Sequence, residues 1–156
     1  MNISDSFILD FNDKQRDAFN LFKSNTSFFL SGPAGVGKSY LLQKMKNWSN
    51  INGRNMQLTA MTGAASLLIG GKTLHSWAGI GLGDANPEVL LQKIKKNFPS
   101  KMRWKRIETL VIDEVSMLTP ELFEKLDYIA REIRRNNLYF GGIQLILSGD
   151  FYQLPP

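Results

Sequence analysis

Short apolar runs alternate along the chain with longer segments in which apolar residues recur every three or four positions. Four runs predict strands, over residues 27–31, 56–60, 109–113 and 143–147. The longer segments predict helices, over residues 12–24, 38–48, 63–69, 87–97 and 120–133. Strands that alternate with helices favour an α/β domain in which helices cover both faces of a parallel sheet.

The stretch between the second and third predicted strands is the longest interruption of this alternation. Residues 74–83 are predicted to be irregular because glycines space them, and Pro99 is predicted to end the helix at 87–97. Residues 72–106 are therefore interpreted as a small insertion within one domain that spans residues 1–156.

Basic residues are concentrated in this insertion. The formal net charge is +5, and seven of the 19 Lys and Arg residues lie between Gln92 and Arg106, where there is no Asp or Glu. The rest of the chain, with 12 basic and 14 acidic residues, is slightly acidic. The pattern favours a local contact with an anion or a nucleic acid, and a solvated lysine-rich surface that contacts nothing is the alternative.

Composition excludes several other classes of protein. The chain has no Cys, which excludes disulfide scaffolds and zinc sites built from cysteine. No apolar run approaches the roughly 20 residues that a membrane-spanning helix needs. The first ten residues contain two Asp and no basic residue, which is not the charge pattern of a leader peptide. We therefore expect an intracellular protein that does not enter a membrane.

The glycine-rich turn after the first strand matches G-x-x-x-x-G-K-[ST] at every fixed position, with a predicted helix after it. Backbone N–H groups of such a loop and the N-terminus of the following helix form a cradle for phosphate groups. Lys38 is predicted to reach the β- and γ-phosphates, and the Ser39 hydroxyl to bind Mg²⁺. The predicted nucleotide-binding residues of this stretch are Gly32, Pro33, Ala34, Gly35, Val36, Gly37, Lys38, Ser39 and Tyr40.

Polar residues at the ends of two later strands suit nucleotide hydrolysis. Asp113 ends a buried strand, where a carboxylate can bind Mg²⁺ through water, and Glu114 is placed to act as the general base for an attacking water. Gln153, after the fourth strand, could sense the γ-phosphate through its amide. The alternatives are a carboxylate pair that only ends a strand and a glutamine in an ordinary surface turn.

Four motifs in order carry a family resemblance: GPAGVGKS, TAMTGAASLLIGGKTLHSWAGIG, VIDEVSM and FGGIQLILSGDFYQLPP. Together they resemble the first RecA-like domain of a superfamily 1B DNA helicase of the Pif type. The resemblance implies a RecA-like P-loop NTPase fold in which the fourth strand lies between the phosphate-loop strand and the Asp113 strand. It also implies ATP and Mg²⁺ as cofactors, single-stranded DNA as partner, forked or structured DNA for the full-length protein, 5′-to-3′ translocation and a monomer.

The resemblance assigns further roles residue by residue. Gln15 corresponds to the glutamine that recognises adenine, although the run from Asn12 also predicts a capping box, and Gln153 corresponds to the γ-phosphate sensor. The implied DNA contacts are Thr62, Thr73, His75, Ser76 and Trp77, with Lys93, Lys96, Arg103 and Trp104 of the insertion. Four of these residues could instead have a purely structural role. Thr62 could cap a helix, Trp77 could belong to the core, His75 could be a hydrogen-bonded structural histidine, and Trp104 could anchor the insertion to the sheet.

The same resemblance implies that a second RecA-like domain with arginine fingers completes the ATP site. No such domain follows Pro156 in the sequence, so this chain alone is expected to hydrolyse ATP very slowly. The main hypothesis is the motor domain of an ATP-dependent DNA helicase. A nucleotide-dependent nucleic-acid-binding module without unwinding activity is the second, and a small-molecule kinase is the third.

Overall fold

The computed structural model of the protein describes residues 10–32 and 36–150. The helices are α1 (Asp13–Lys23), α2 (Val36–Asn52), α3 (Gly63–Leu68), α4 (Leu74–Ala78), α5 (Pro87–Lys95), α6 (Phe98–Arg106) and α7 (Pro120–Arg134). The strands are β1 (Phe28–Ser31), β2 (Met56–Ala60), β3 (Lys72–Thr73), β4 (Thr109–Asp113) and β5 (Gln144–Gly149). Short 3-10 turns at Val115–Met117 and Tyr139–Gly142 flank α7.

All described strand pairs are parallel, and the order across the sheet is β1-β5-β4-β2-β3. The predicted parallel α/β architecture is confirmed, and β5 lies between β1 and β4 as expected. The two-residue strand β3 was not predicted, since a pair of residues is too short to show an alternation of apolar and polar positions.

The sheet is covered on both faces, and its central strands show why their apolar runs are unbroken. Leu110 and Ile112 of β4 belong to one buried cluster with residues of α4, α5, α6 and α7. Val111 and Ile146 belong to a second cluster with residues of α1 and α2. Because successive side chains of a strand point to opposite faces, a strand covered on both faces needs apolar residues at consecutive positions.

The region from residue 72 to residue 106 packs as part of this domain. It begins with β3, paired to β2, and its helices share a hydrophobic cluster with α7. The prediction that residues 74–83 are irregular is wrong for Leu74–Ala78, which forms α4, with Thr73 as its N-cap and Gly79 in the left-handed conformation at its end. A helix of only five residues cannot be recognised in a stretch whose main sequence feature is its regularly spaced glycines.

Pro99 starts a helix instead of ending one. It lies in the first turn of α6, where Asn97 caps the helix by accepting a hydrogen bond from the Ser100 N–H at 3.2 Å. The first N–H groups of a helix have no partner within the helix, so proline is tolerated at that position. The prediction that Pro99 ends the preceding helix is therefore wrong, since that helix already ends at Lys95. Within the described residues, no helix is both long and apolar enough to cross a membrane.

Candidate nucleotide site and nucleic-acid interface

The phosphate-loop motif begins with Gly32, directly after β1, and ends with Ser39 in the first turn of α2. The Gly32 N–H donates to the Gly149 carbonyl at 3.3 Å, which fixes the end of β1 beside the end of β5. Pro33, Ala34 and Gly35 lie outside the described residues, as does the side chain of Val36, so their predicted contacts with phosphate stay predictions. Ser39 lies in the first turn of α2, where its hydroxyl is expected for a phosphate-loop serine.

A buried cluster of Lys38, Asp113 and Ser148 lies at the carboxyl end of the sheet. Lys38 Nζ donates to Asp113 Oδ1 at 2.8 Å, and Ser148 Oγ donates to the same oxygen at 2.8 Å. The side chains of Lys38 and Asp113 are only 10% and 6% exposed. Charges this deeply buried need partners, because an isolated charge taken out of water costs several kcal/mol. The ammonium and the carboxylate satisfy each other at the point where the phosphate loop meets β4.

The Asp113 carboxylate of this cluster and the Ser39 hydroxyl in the first turn of α2 are oxygen groups of the kind that bind a magnesium ion together with a nucleotide. Within residues 10–32 and 36–150, no group of three or more His, Asp or Glu side chains could bind a metal ion. Mg²⁺ usually binds through one or two protein oxygens, with water and phosphate oxygens as its other ligands. Asp113 and Ser39 would supply those protein oxygens here.

Glu114 differs from its neighbour Asp113 in both backbone and partners. Its backbone is left-handed, with φ 58° and ψ 42°, a conformation that costs a residue with a side chain about 1–2 kcal/mol. Glu114 Oε1 accepts two hydrogen bonds from Thr62, from the N–H at 2.9 Å and from the hydroxyl at 2.7 Å. The two adjacent carboxylates are therefore bound to different elements.

Gln15 forms the predicted capping box and also contacts the phosphate-loop region. Its backbone N–H donates to Asn12 Oδ1 at 2.8 Å, and its Oε1 accepts from the Asn12 N–H at 3.0 Å. Its side-chain NH₂ donates to the Gly37 carbonyl at 3.3 Å. The helix-capping alternative is thus present in the structure, and adenine recognition stays a prediction.

The side chain of Tyr40 points to the segment before α1. Its hydroxyl donates to Asp10, and this hydrogen bond raises the pKa of Tyr40 and lowers the pKa of Asp10. Its ring packs edge-on against Phe11, with ring centroids 6.1 Å apart.

Gln153, the predicted γ-phosphate sensor, lies outside the described residues.

Four of the predicted DNA contacts line one open cleft between α4 and α6. The cleft has a volume of about 370 Å³, and its lining residues are His75, Ser76, Gly79, Gly81, Lys93, Asn97, Ser100 and Arg103. The Lys93 side chain is exposed, whereas Arg103 is half-buried and donates to the Trp77 carbonyl at 2.8 Å and to Ser100 Oγ at 3.0 Å. Two cations and several other polar side chains therefore face a single groove.

The threonines predicted to contact DNA are both helix caps. Thr62 Oγ1 accepts from the Ala65 N–H at 3.3 Å at the start of α3, and Thr73 Oγ1 accepts from the Ser76 N–H at 3.2 Å at the start of α4. Lys96 is exposed at the end of α5, outside the set of residues that line the cleft.

The prediction that Trp77 and Trp104 contact DNA does not fit the structure. The two residues are 2% and 0% exposed, and their ring centroids lie 4.9 Å apart. Trp104 Nε1 donates to the Ala78 carbonyl at 2.9 Å, which ties α6 to α4. Both indoles are core residues, because the amphipathic helices around them leave no ring face open to a base. The alternatives of a core Trp77 and an anchoring Trp104 are the correct ones.

Sequence reasoning did not identify Ser148 as a site residue or Thr62 as a partner of Glu114. Ser148 lies near the end of β5, at the sheet end where the ligands of parallel α/β proteins bind, and this position could have indicated it. Nothing in the sequence indicates the contact between Thr62 and Glu114, which are 52 residues apart.

A parallel sheet of this strand order, with a lysine–aspartate cluster beside a phosphate-loop motif, defines the RecA-like class of nucleotide-binding domain. The model of the family described as PIF1-like helicase matches residues 10–156, and the chain belongs to that family. The chain is 49% identical over 145 residues to the ATP-dependent DNA helicase PIF1 of Saccharomyces cerevisiae, with 92% of this chain and 17% of the yeast protein covered.

Two solved Pif1 structures show the same fold. The Pif1 helicase of Candida albicans superposes with a TM-score of 0.86 at 44% identity, over 95% of this chain and 34% of that one. The Pif1 helicase of Bacteroides, in complex with ADP-AlF3 and single-stranded DNA, superposes with a TM-score of 0.70 at 31% identity, over 93% of this chain and 33% of that one. The chain thus spans about a third or less of the length of each of these relatives.

Proposed function

We propose that this chain is the ATP-hydrolysing motor domain of a DNA helicase that moves along single-stranded DNA. The observation that carries the proposal is the buried cluster in which Lys38 and Ser148 both bind Asp113 beside the phosphate-loop motif. Membership of the PIF1-like helicase family supports the same activity. The Bacteroides relative, whose structure contains ADP-AlF3 and single-stranded DNA, supports both ligands.

In the proposed reaction, each polar residue near the carboxyl end of the sheet has its own role. Lys38 leaves Asp113 to bind the β- and γ-phosphates of ATP. Asp113 and Ser39 would hold Mg²⁺, and the ion would supply positive charge that neutralises the phosphates. Glu114 accepts a proton from the attacking water. Gln15 binds adenine, and Gln153 senses the γ-phosphate.

The cleft between α4 and α6 is the proposed path of the DNA backbone across this domain. Lys93 contributes an exposed ammonium group, and the polar side chains of Ser76 and His75 line the same groove. Phosphate contacts of this type position a nucleic acid without reading its sequence. The expected 5′-to-3′ direction, the action as a monomer, the preference for forked or structured DNA and the slow turnover of residues 1–156 alone belong to the same proposal.

The test is ATP turnover by the product of the full natural reading frame, with and without single-stranded DNA. We expect DNA to stimulate turnover, and Lys38→Ala to lower the stimulated rate by about 10²-fold or more, since the variant removes a charge aimed at the transferred phosphate. Lys14→Ala, which changes an exposed lysine on α1 outside the basic insertion, is the matched control. Equal turnover in wild type and Lys38→Ala would contradict the proposal. Nucleotide binding without unwinding would favour the nucleotide-dependent binding module.

A further inference from the structure

Thr62 gives all of its hydrogen-bond donors to one carboxylate. Its N–H and its hydroxyl both donate to Glu114 Oε1, at 2.9 Å and 2.7 Å. A hydroxyl has a single proton, and the Thr62 oxygen also accepts the Ala65 N–H at 3.3 Å, which turns that proton toward Glu114. As long as these bonds persist, Thr62 has no donor left for any other anion.

The direction of this contact matters for the proposed reaction. In the sheet, β4 lies between β5, on the side of the phosphate-loop strand β1, and β2, on the opposite side. Asp113 is bound from the phosphate-loop side, by Lys38 and by Ser148 of β5. Glu114 is bound from the opposite side, by Thr62, which directly follows β2 and Met61. The carboxylate proposed to activate water is therefore drawn away from the phosphate loop.

The surface beside Thr62 is open to a ligand. Gly63 and Ala64, the next two residues along the chain, are exposed and small. A phosphate group that approached this turn would meet the Thr62 N–H and hydroxyl first, and it would compete with Glu114 for them. Hydrogen bonds to a charged acceptor are strong enough for this exchange to be close to balanced.

We propose that Thr62 is a positioning residue for Glu114, and that a backbone phosphate of single-stranded DNA releases the carboxylate by taking over the donors of Thr62. Without DNA, Glu114 is bound to Thr62 and water activation is slow. With DNA, Glu114 is free to turn toward the attacking water. This inference rests on the proposed ATPase function and adds a route by which DNA stimulates it.

The experiment compares ATP turnover by the full-length protein and its Thr62→Val variant, with no DNA and with saturating single-stranded DNA. Valine keeps the shape and the backbone N–H but removes the hydroxyl. We expect turnover without DNA to rise about 10-fold or more, which corresponds to the loss of one hydrogen bond to a charged group. Turnover at saturating DNA should change by less than about twofold, so the stimulation factor falls. The KM for ATP should not change.

Three control variants identify the cause. Thr62→Ser keeps a hydroxyl and should restore the DNA-free rate of the wild type. Thr119→Val removes another N-cap hydroxyl, which accepts from the Leu122 N–H at 3.1 Å at the start of α7, and it should leave both rates unchanged. The double variant Thr62→Val/Glu114→Gln should show no rise over Glu114→Gln, because the effect acts through Glu114. Thermal unfolding of each variant checks the fold, and Thr62→Ala replaces Thr62→Val if the valine variant does not fold.

The possible outcomes are distinct. An unchanged or lower DNA-free rate in a folded Thr62→Val protein overturns the inference while the ATPase proposal stands, because wild type still turns over ATP and Lys38→Ala does not. A rise that persists in the double variant also overturns the inference. A wild-type protein that does not hydrolyse ATP, with or without DNA, overturns the proposed function itself and the inference with it.

Discussion

The two ends of the sheet use their polar side chains in different ways. At the carboxyl end, side chains bind other side chains: Lys38 and Ser148 bind Asp113, and Thr62 binds Glu114 through its hydroxyl. At the amino end, where the strands begin, polar side chains bind mostly backbone carbonyls.

Three residues illustrate the pattern at the amino end. Arg54 donates to the Phe22 carbonyl at 2.7 Å, and Gln144 donates to the Thr26 carbonyl at 2.9 Å. Arg134 donates to the carbonyls of Trp104 and Ile107, each at 2.8 Å, and of Gly141, also at 2.8 Å. Burial lowers the pKa of both arginines.

The contacts at the two ends of the sheet differ in whether a ligand can replace them. We call the replaceable ones exchangeable and the others permanent. A backbone carbonyl cannot leave without unfolding its element, so the contacts at the amino end last as long as the fold. A side chain can rotate toward a ligand, so the contacts at the carboxyl end can be replaced by phosphate or metal. Changes at the carboxyl end should therefore lower activity, and changes at the amino end should lower stability.

The largest effect is expected for Glu114→Gln. The amide keeps the shape but cannot accept a proton, so DNA-stimulated ATP turnover should fall by about 10²- to 10⁴-fold. The free energy of unfolding, measured in urea, should change by less than about 1 kcal/mol. Glu124→Gln, at an exposed position of α7, is the matched control. A large loss of stability in Glu114→Gln would remove the distinction between the two ends of the sheet.

The next effect is expected for Arg134→Ala, which leaves several carbonyls near the start of β4 without a donor. Each such group costs about 1–3 kcal/mol where water cannot reach it, so the free energy of unfolding should fall by about 3 kcal/mol. ATP turnover per folded molecule should stay within about twofold of wild type. Arg106→Ala, at an exposed position near Arg134's partners, should leave the free energy of unfolding unchanged. A loss of turnover without a loss of stability would show that this end of the sheet also takes part in function.

A smaller effect tests whether the lysines of the basic insertion bind a ligand, as the side chains at the carboxyl end of the sheet are proposed to do. If it meets about three phosphates of single-stranded DNA, the logarithm of affinity should fall with the logarithm of salt concentration at a slope near −2. Replacing Lys93, Lys95 and Lys96 by Gln should flatten that slope toward zero, as measured by fluorescence anisotropy at several salt concentrations. An unchanged slope would indicate that these lysines are only solvated.

The smallest effect compares strain at two positions. Arg135, at the end of α7, has the same left-handed backbone as Glu114, with φ 51° and ψ 49°. Its side chain is exposed, so Arg135→Gly should stabilise the protein by about 0.5–1 kcal/mol by relieving strain at a helix end. Glu114→Gly should bring no such gain in stability, because glycine also removes the two hydrogen bonds that the Glu114 side chain accepts from Thr62. Urea unfolding of both variants makes the comparison, and a destabilised Arg135→Gly would contradict it.

Much of the fold could be predicted from local patterns. The unbroken Leu110–Ile112 run predicted a strand covered on both faces, and Thr119 with Pro120 marked the start of α7. The short elements β3 and α4 could not be predicted, because they are defined by packing against β2 and α6 and not by a repeat of their own. Pro99 was misinterpreted because proline fits both the end and the first turn of a helix.

The candidate site was predictable to the extent that its residues lie within sequence motifs. Lys38, Asp113 and Glu114 were found because a phosphate loop and a strand end fix their surroundings. Trp77 was assigned to DNA from the family resemblance, and Trp104 from the cations around it in the sequence. Only the packing of α4 against α6 shows that both rings are enclosed. The partners Thr62 and Ser148 depend on which strands become neighbours, and this information is not local.

The contact between Trp77 and Trp104 makes the basic insertion spectroscopically visible. Two indoles with centroids 4.9 Å apart are close enough for their electronic transitions to couple, which should give a paired band of opposite signs in the far-ultraviolet circular dichroism spectrum. Trp48, the third indole of the chain, packs on Phe22 with ring centroids 5.3 Å apart, in the cluster on the other face of the sheet. A loosening of α4 from α6 would therefore change the coupled signal and leave the Trp48 signal intact, so the protein carries a natural reporter for motion of its basic insertion.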